Sequence, residues 1–231
     1  MVLKTIPGID STALIQLIPN FLGSSSALLD MGENIDCDST NLYQFALMGY
    51  SFYKAVNNFK NPKIGILNVG SEEMKGNDAV KNASIMLKES HLSSNYFGYV
   101  EGDDIMKGIV EVIVTDGFTG NVALKTMEGA SKFFTSIMKE GFSHSIMSKI
   151  GYLFARRGIN AVKQKIDHKR YNGAMFVGLN GIVVKSHGNA DKVSFANAIK
   201  NAVNLIKNKI NDEIIMSIQA SEFDKDDNDI E

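Results

Sequence analysis

The sequence predicts an α/β fold built on a mostly parallel sheet, and three observations carry that expectation. Short β-branched apolar runs recur along the chain, each followed by a polar turn containing glycine. After each turn, apolar residues return at spacings of three and four, as in repeated β-α units. The first unit is a strand over 26–29, the turn DMGENIDCDS, and a helix over 41–56 with Leu42, Phe45, Ala46 and Gly49 on one face. The second is a strand over 63–69, the turn GSEEMKGN, and a helix over 78–87 in which Val80, Ala83 and Leu87 share a face. The third is a strand over 110–114, the turn DGFTGN, and a helix from 122 to about 140. The last is a strand over 181–185, the turn SHGNAD, and a helix over 193–210. Parallel strands with helical crossovers put such turns on the carboxyl edge of the sheet, where open α/β sheets bind ligands. The four turns are therefore expected to converge there.

Composition bounds the reading further. A chain of 231 residues, 44% apolar and 22% charged, can bury a sizeable core. We expect one α/β domain over 1–222 and a short acidic end over 223–231. That end, FDKDDNDIE, carries five acids against one lysine and is expected to be solvated and disordered. A net charge of -2 argues against a general nucleic-acid binder, which would show a basic excess. The single cysteine, Cys37, excludes an internal disulfide and fits a reducing cytoplasm. The start, MVLKTIPGID, lacks the apolar region of a leader, and no window approaches the roughly 20 apolar residues of a membrane span. A cytoplasmic protein follows, with contact at a membrane surface left open.

One segment differs in character. Between 132 and 170 there are nine Lys or Arg against two acids, a local balance of +7. Phe133, Phe134, Ile137, Phe142, Ile146, Ile150, Leu153 and Phe154 fall mostly at helical spacing, which describes one or two basic amphipathic helices broken near Gly141 or Gly158. Such a segment suits anionic lipid or an acidic partner. From composition alone, an ordinary surface helix pair packed on its own core is the better account.

The turns carry the chemistry. In GSEEMKGN, a helix starting near Asn77 or Asp78 presents unpaired N–H groups beside Lys75, which together suit an anion such as phosphate. The Walker pattern and GxGxxG are both absent, so nucleotide binding has little support. Glu72 and Glu73 need partners: one could fix Lys75 or a neighbouring backbone amide, and one could orient a donor on another loop; a capped helix start with a solvated charge cluster explains the same residues. In DGFTGN, Asp116 or Thr119 can cap, Gly117 and Gly120 permit close backbone approach, and Asn121 at the helix entrance can donate to an oxyanion or act simply as a cap. His187, beside Gly188 on an accessible turn, suits acid-base work or phosphate contact, although lone histidines are more often structural. Cys37 has no histidine nearby and reads as a buried thiol rather than a nucleophile. The scattered histidines and cysteine show no zinc spacing, so no metal is expected.

Taken in order, LLDMGENIDC, QFALMG, ILNVGSEEMKGN, VEGDDIMKG, VTDGFTGNVALKTMEG, YNGAMFVGLNG and VVKSHGNAD resemble the motifs of the bacterial PlsX family of phosphate acyltransferases, over about 6–202. The resemblance implies transfer of a long fatty acyl group from acyl carrier protein to inorganic phosphate, without a cofactor. The acyl phosphate feeds a glycerol-3-phosphate acyltransferase at the entry to phospholipid synthesis. It further implies a Rossmann-like three-layer α/β/α fold similar to the isocitrate/isopropylmalate dehydrogenase-like group. The family's homodimers attach peripherally to anionic membrane through a protruding helix-hinge-helix, whose place 132–170 occupies. Two departures stand out. Roughly the first third of the family pattern, including a DAMGGD-type motif, does not precede this chain. The family's DxGAN reads Met31-Gly32-Glu33-Asn34 here, which adds a carboxylate near an anion site.

The roles expected from this reading are specific. Phosphate, a dianion for much of the time near pH 7 with a second pKa between about 6 and 7, needs positioning rather than a strong base. The thiol leaving group, with a pKa of about 8.5, needs little acid help. Lys75 is expected to hold phosphate and developing charge, and Asn121 to donate to the thioester oxyanion. His187 is expected to contact phosphate or protonate the departing thiol. Asn77 and the amides around Gly76 would bind phosphate, Glu72 or Glu73 would orient Lys75, and Asp116 would set its turn. Gly70, Gly117, Gly120, Gly188 and Asn34 complete the expected substrate-binding set. Arg156 and Arg157 are candidates for docking the acidic carrier protein. The rival expectations are a phosphate acetyltransferase using a short acyl-CoA, and a non-catalytic fragment that binds membrane or partner.

Overall fold

The computed structural model describes residues 3–166, 173–186, 188 and 190–228. In chain order its elements are β1 (Ala13–Pro19), β2 (Ser25–Leu29), α1 (Ser39–Asn57), β3 (Ile64–Leu67), α2 (Asp78–Glu89), β4 (Tyr96–Val100), β5 (Val112–Val114), α3 (Gly117–Ser143), α4 (Ile146–Ile166), β6 (Ala174–Val177), β7 (Val183–Lys185), α5 (Lys192–Lys207) and α6 (Ile210–Asn228). The four expected strand-helix units all form. The strands make one sheet in the order β4-β3-β5-β2-β1-β6-β7.

Half of this sheet departs from expectation. β4, β3, β5 and β2 are parallel neighbours, but β1 pairs antiparallel with both β2 and β6, and β7 pairs antiparallel with β6. The sheet is therefore mixed rather than mostly parallel. Link length explains it, because a parallel return needs a crossover of a dozen or more residues, whereas β1 and β2 are joined by the tight turn 20–24. There the Asn20 amide donates to the Ser24 carbonyl, and the Asn20 side chain accepts from the Ser24 N–H.

Both faces of the sheet are apolar, as strand alternation requires when helices cover each side. Ala27, Leu29, Ile64, Ile66, Val112 and Val114 pack under α1, α2, α5 and α6, with Phe45 fully buried. On the opposite face Leu28, Leu67, Val100 and Ile113 meet Ala123, Leu124 and Met127 of α3. The Asp38 carboxylate caps α1 by accepting from the Asn41 amide at 2.8 Å. The helix comes so close to the sheet that a Cβ at Gly49 would stand 2.6 Å from Val112 Cγ1. α1 is tied to α6 by Lys54 Nζ and Glu213 Oε2 at 2.9 Å, with side chains 44% and 31% exposed. Solvent screening leaves such a pair worth at most about 1 kcal/mol. Lys54→Met is expected to lower unfolding free energy by no more than that in a urea titration, and a larger drop would mean that the pair anchors α6.

Beyond the sheet, α3 and α4 run out with much of their apolar surface uncovered, including Phe133 at 69% and Phe154 at 84% exposure. The break between them falls at 144–145, and α4 continues straight through Gly158. Ser145 makes the break, because its hydroxyl accepts from the Ser148 N–H at 3.0 Å and so caps α4. No described helix is long and apolar enough to cross a membrane. Helix α6 runs on to Asn228, so most of the end expected to be disordered is helical backbone, because a helix already nucleated gains a hydrogen bond with each added residue.

Candidate active site

The carboxyl ends of β2, β3 and β5 share one edge, and the loop leaving β2 is organised by a residue the sequence reading passed over. Asp30 is fully buried, and its carboxylate accepts from five N–H groups. Leu14 N–H and Gly32 N–H reach Oδ1 at 2.9 and 3.2 Å, and Glu33 N–H lies 3.2 Å from both oxygens. Asn34 N–H and Nδ2 reach Oδ2 at 2.7 and 2.9 Å. Such a nest supplies a buried carboxylate with hydrogen-bond donors in place of water. Asn34 Nδ2 also donates to the Thr12 carbonyl at 2.6 Å, so the amide donors of this expected substrate contact are spent on the fold. Glu33 is exposed.

Helix α3 starts against this loop. The Asp116 carboxylate accepts from Thr119 N–H at 2.7 Å and from its hydroxyl at 2.8 Å, which makes Asp116 the N-cap and starts the helix before the expected residue 122. Asn121 therefore lies inside the helix rather than at its entrance. Gly117 N–H donates to the Asn34 carbonyl at 2.7 Å, and a Cβ at Gly120 would stand 1.9 Å from the Asp30 carbonyl oxygen, so only glycine permits this contact. The Asn121 side chain rests against Gly32, with its Cβ 3.3 Å from where a Gly32 Cβ would be.

Cys37 lies behind the same junction. Burial pushes its thiol up to about 11, a contact with the Gly117 backbone opposes this, and the Asp30, Asp116 and Asp38 carboxylates add to the rise. At pH 8 iodoacetamide is expected to label it about two orders of magnitude more slowly than an unstructured cysteine, since only the thiolate reacts. The folded state holds this proton more tightly than the unfolded chain. Stability from this group is therefore complete below the ordinary thiol value and declines as pH rises from about 9 to about 11. Labelling as fast as a free cysteine at pH 8 would show that the thiol is not held in this way.

The turn after β3 is braced by another residue not singled out beforehand. Asn68 Oδ1 accepts from Val69 N–H at 2.9 Å, and its Nδ2 donates to the Lys75 carbonyl at 3.1 Å. Gly76 takes φ +92 there, with Asn68 Oδ1 2.4 Å from where a Cβ would stand. Asn77 caps α2 by accepting from Val80 N–H at 2.9 Å. Of the two adjacent carboxylates, Glu73 pairs with Lys88 at 2.7 Å rather than with Lys75, and that bond lowers the carboxyl pKa and raises the ammonium's. Glu72 Oε2 and Lys75 Cγ both lie over Gly70, 2.6 and 3.1 Å from where its Cβ would be. Lys75 is exposed and takes part in no ion pair among the described residues.

The expected residues fall on either side of the first turns of α3. A cleft of about 570 Å³ is lined by Asn68, Gly76, Asn77, Asp116 and Thr119 together with the apolar Leu67, Val69, Val80, Ile105, Val122 and Ala123. A second cleft, of about 260 Å³, is lined by Leu14, Gln16, Met31, Asn121, Leu124, Lys125, Ala174, Lys185, Ser186 and Gly188. Strand β7 runs opposite to β2, so its following turn leaves in the other direction from the three carboxyl-edge loops. Register nevertheless brings it alongside, because Val184 pairs with Met175, which pairs with Ile15, the neighbour of the residue facing Leu28. His187 lies outside the described residues. Lys125 and Lys185 were missed, although Lys125 follows Asn121 by one helical turn and Lys185 directly precedes SHGNAD. No group of His, Cys, Asp and Glu among the described residues could hold a metal.

Comparison with known proteins agrees with this architecture. The phosphate acyltransferase of Paramagnetospirillum magneticum is 53% identical over 97% of this chain and 62% of that protein. That of Methylococcus capsulatus is 49% identical over 90% of this chain and 61% of that protein. The chain thus spans about three fifths of the length of these relatives. A phosphotransacetylase from Streptococcus pyogenes superposes with a TM-score of 0.55 at 19% identity, over 89% of this chain and 57% of the other, and shares the fold. Residues 1–213 match the profile of the fatty acid synthesis protein family, and the chain belongs to that family.

Proposed function

We propose that this chain carries the acyl-transfer site of a phosphate acyltransferase, moving a long fatty acyl group from acyl carrier protein to inorganic phosphate. The observation that carries the reading is 53% identity to a phosphate acyltransferase across 97% of the chain. In the reaction a phosphate oxygen attacks the thioester carbonyl, a tetrahedral oxyanion forms, and the C–S bond breaks with its electron pair leaving on sulfur. The protein must screen repulsion between anions and supply fixed donors where the oxyanion develops. Lys75, held beside Glu72 over Gly70, takes the phosphate charge, and the Asn77 amide and the Gly76 backbone assist it. Asn121 donates to the oxyanion, and His187 serves phosphate or the departing thiol. Asp116, Gly117 and Gly120 set the start of α3, and Gly188 borders the neighbouring cleft. The larger cleft's apolar walls suit the acyl chain.

Partners follow from the same reading. The uncovered apolar and basic face of α3 and α4 serves as the helix-hinge-helix that meets anionic membrane and a second copy of the chain, which gives a cytoplasmic, peripherally bound homodimer. Arg156 and Arg157 dock the acidic carrier protein, and the acyl phosphate passes to a glycerol-3-phosphate acyltransferase. The fold belongs with the isocitrate/isopropylmalate dehydrogenase-like group.

The deciding experiment is thiol release from palmitoyl-acyl carrier protein by the 231-residue chain, with and without inorganic phosphate. Phosphate-dependent release is expected. A folded, monodisperse sample that releases none would overturn the enzymatic reading and favour a membrane- or partner-binding fragment. Release with a short acyl-CoA alone would point to an acetyltransferase.

A further inference from the structure

The two clefts beside α3 differ in charge. Among the described lining residues, the larger has no lysine or arginine, and its one carboxylate, Asp116, is occupied as a helix cap. Among its described lining residues, the smaller has two lysines and no carboxylate. Lys125 lies one turn beyond Asn121, so both project from the same helix face. Lys185 arrives from the end of β7, on an independent element. Lys125 Nζ meets Glu128 Oε2 at 3.1 Å, with the lysine side chain 59% and the glutamate side chain 12% exposed, so the ammonium stays open to a second, arriving anion on its solvent side. Lys185 takes part in no ion pair among the described residues. Two ammonium groups facing one concave space from different elements focus positive potential where an anion can bridge them, and the Asn121 amide adds a neutral donor.

We infer that this cleft binds a phosphate group, with Lys125 and Lys185 as its charge partners. The inference deepens the proposed function and rests on it for the ligand's identity. Two reactants carry the required chemistry: inorganic phosphate itself, and the pantetheine arm of the acyl donor, which is linked through a phosphodiester. Either places a phosphate's acceptor oxygens beside Asn121. Neither lysine belongs to the GSEEMKGN turn, so this anion site is additional to the one around Lys75.

The test is titration calorimetry at low ionic strength, with inorganic phosphate in one arm and coenzyme A, which carries the pantetheine arm and its phosphates, in the other. Lys125→Gln and Lys185→Gln are each expected to weaken one of these ligands about tenfold, the loss of one charge-assisted contact. Lys60→Gln, which removes the same charge outside the cleft, is expected to change neither, and Lys185→Arg is expected to bind as wild type does. Weakening confined to phosphate assigns the site to the nucleophile, and weakening confined to coenzyme A assigns it to the donor's arm. The inference is overturned if wild type binds neither, or if both glutamine variants keep wild-type affinity for both while melting at the wild-type temperature. Because binding is read without turnover, absent thiol release with these binding losses intact would sink the proposed reaction and leave the anion site standing.

Discussion

Replacing Lys75 by alanine is expected to slow phosphate-dependent thiol release by about 10²–10³-fold, the range seen when one fixed transition-state donor is lost. Several observations favour so large an effect. Asn68 and Gly76 fix the turn, and Lys75 is set over Gly70 beside Glu72, while the second carboxylate is drawn away to Lys88. The charge at the turn is thus arranged around one exposed ammonium rather than averaged over several groups. Because the side chain is exposed, its loss should leave the melting temperature within a degree or two of wild type, as for most surface substitutions. The readout is kcat and KM for phosphate, with Lys75→Arg as a partner variant. A charge-only role predicts partial recovery in the arginine variant, whereas a role that depends on the compact ammonium predicts little. Near-normal turnover in the alanine variant would remove Lys75 from the mechanism.

How much of this was legible in the sequence depends on the kind of signal. The strands before DMGEN, GSEEMKGN and DGFTGN stand out because both sheet faces are covered, which makes them short unbroken apolar runs. β1 and β6 were passed over because their pairing is set by short connections, and pairing across the sheet leaves no local period. The caps were readable one residue at a time: Asp116 and Asn77 precede their helices as cap residues should. What could not be read was which side of a helix a residue faces once the helix starts early. Asp116 advances α3 to Gly117, and this puts Asn121 and Lys125 on the cleft shared with Lys185, while Asp116 and Thr119 line the neighbouring one. Asp30 escaped notice for another reason. Its partners are four backbone amides and one side-chain amide, and an amide nest has no residue signature.

That nest sets the second large effect. Asp30→Ala is expected to cost about 4 kcal/mol, because five N–H groups lose a buried acceptor and unsatisfied donors carry penalties of roughly 1–3 kcal/mol each, offset in part by relaxation and entering water. For a chain of this size that corresponds to a fall of about 8–16 °C in melting temperature. Asp30→Asn should fall between, since one acceptor oxygen survives while the new NH₂ confronts donors at the other position. Glu33→Ala, four residues beyond the end of β2 at Leu29 and on the exposed rim of the same loop, should be within about 0.5 kcal/mol of wild type. The contrast matters because the Asp30 carbonyl also lies where a Gly120 side chain would stand, and Asn34, which holds the carboxylate, accepts from Gly117 N–H. Loosening the nest therefore releases the start of α3 and shifts Asn121 relative to both clefts. Thermal melting and thiol release measured together separate the two consequences: the asparagine variant, assayed below its melting temperature, should lose kcat more than it raises KM. A variant that melts at the wild-type temperature would show that the amides find acceptors elsewhere and that Asp30 does not organise this site.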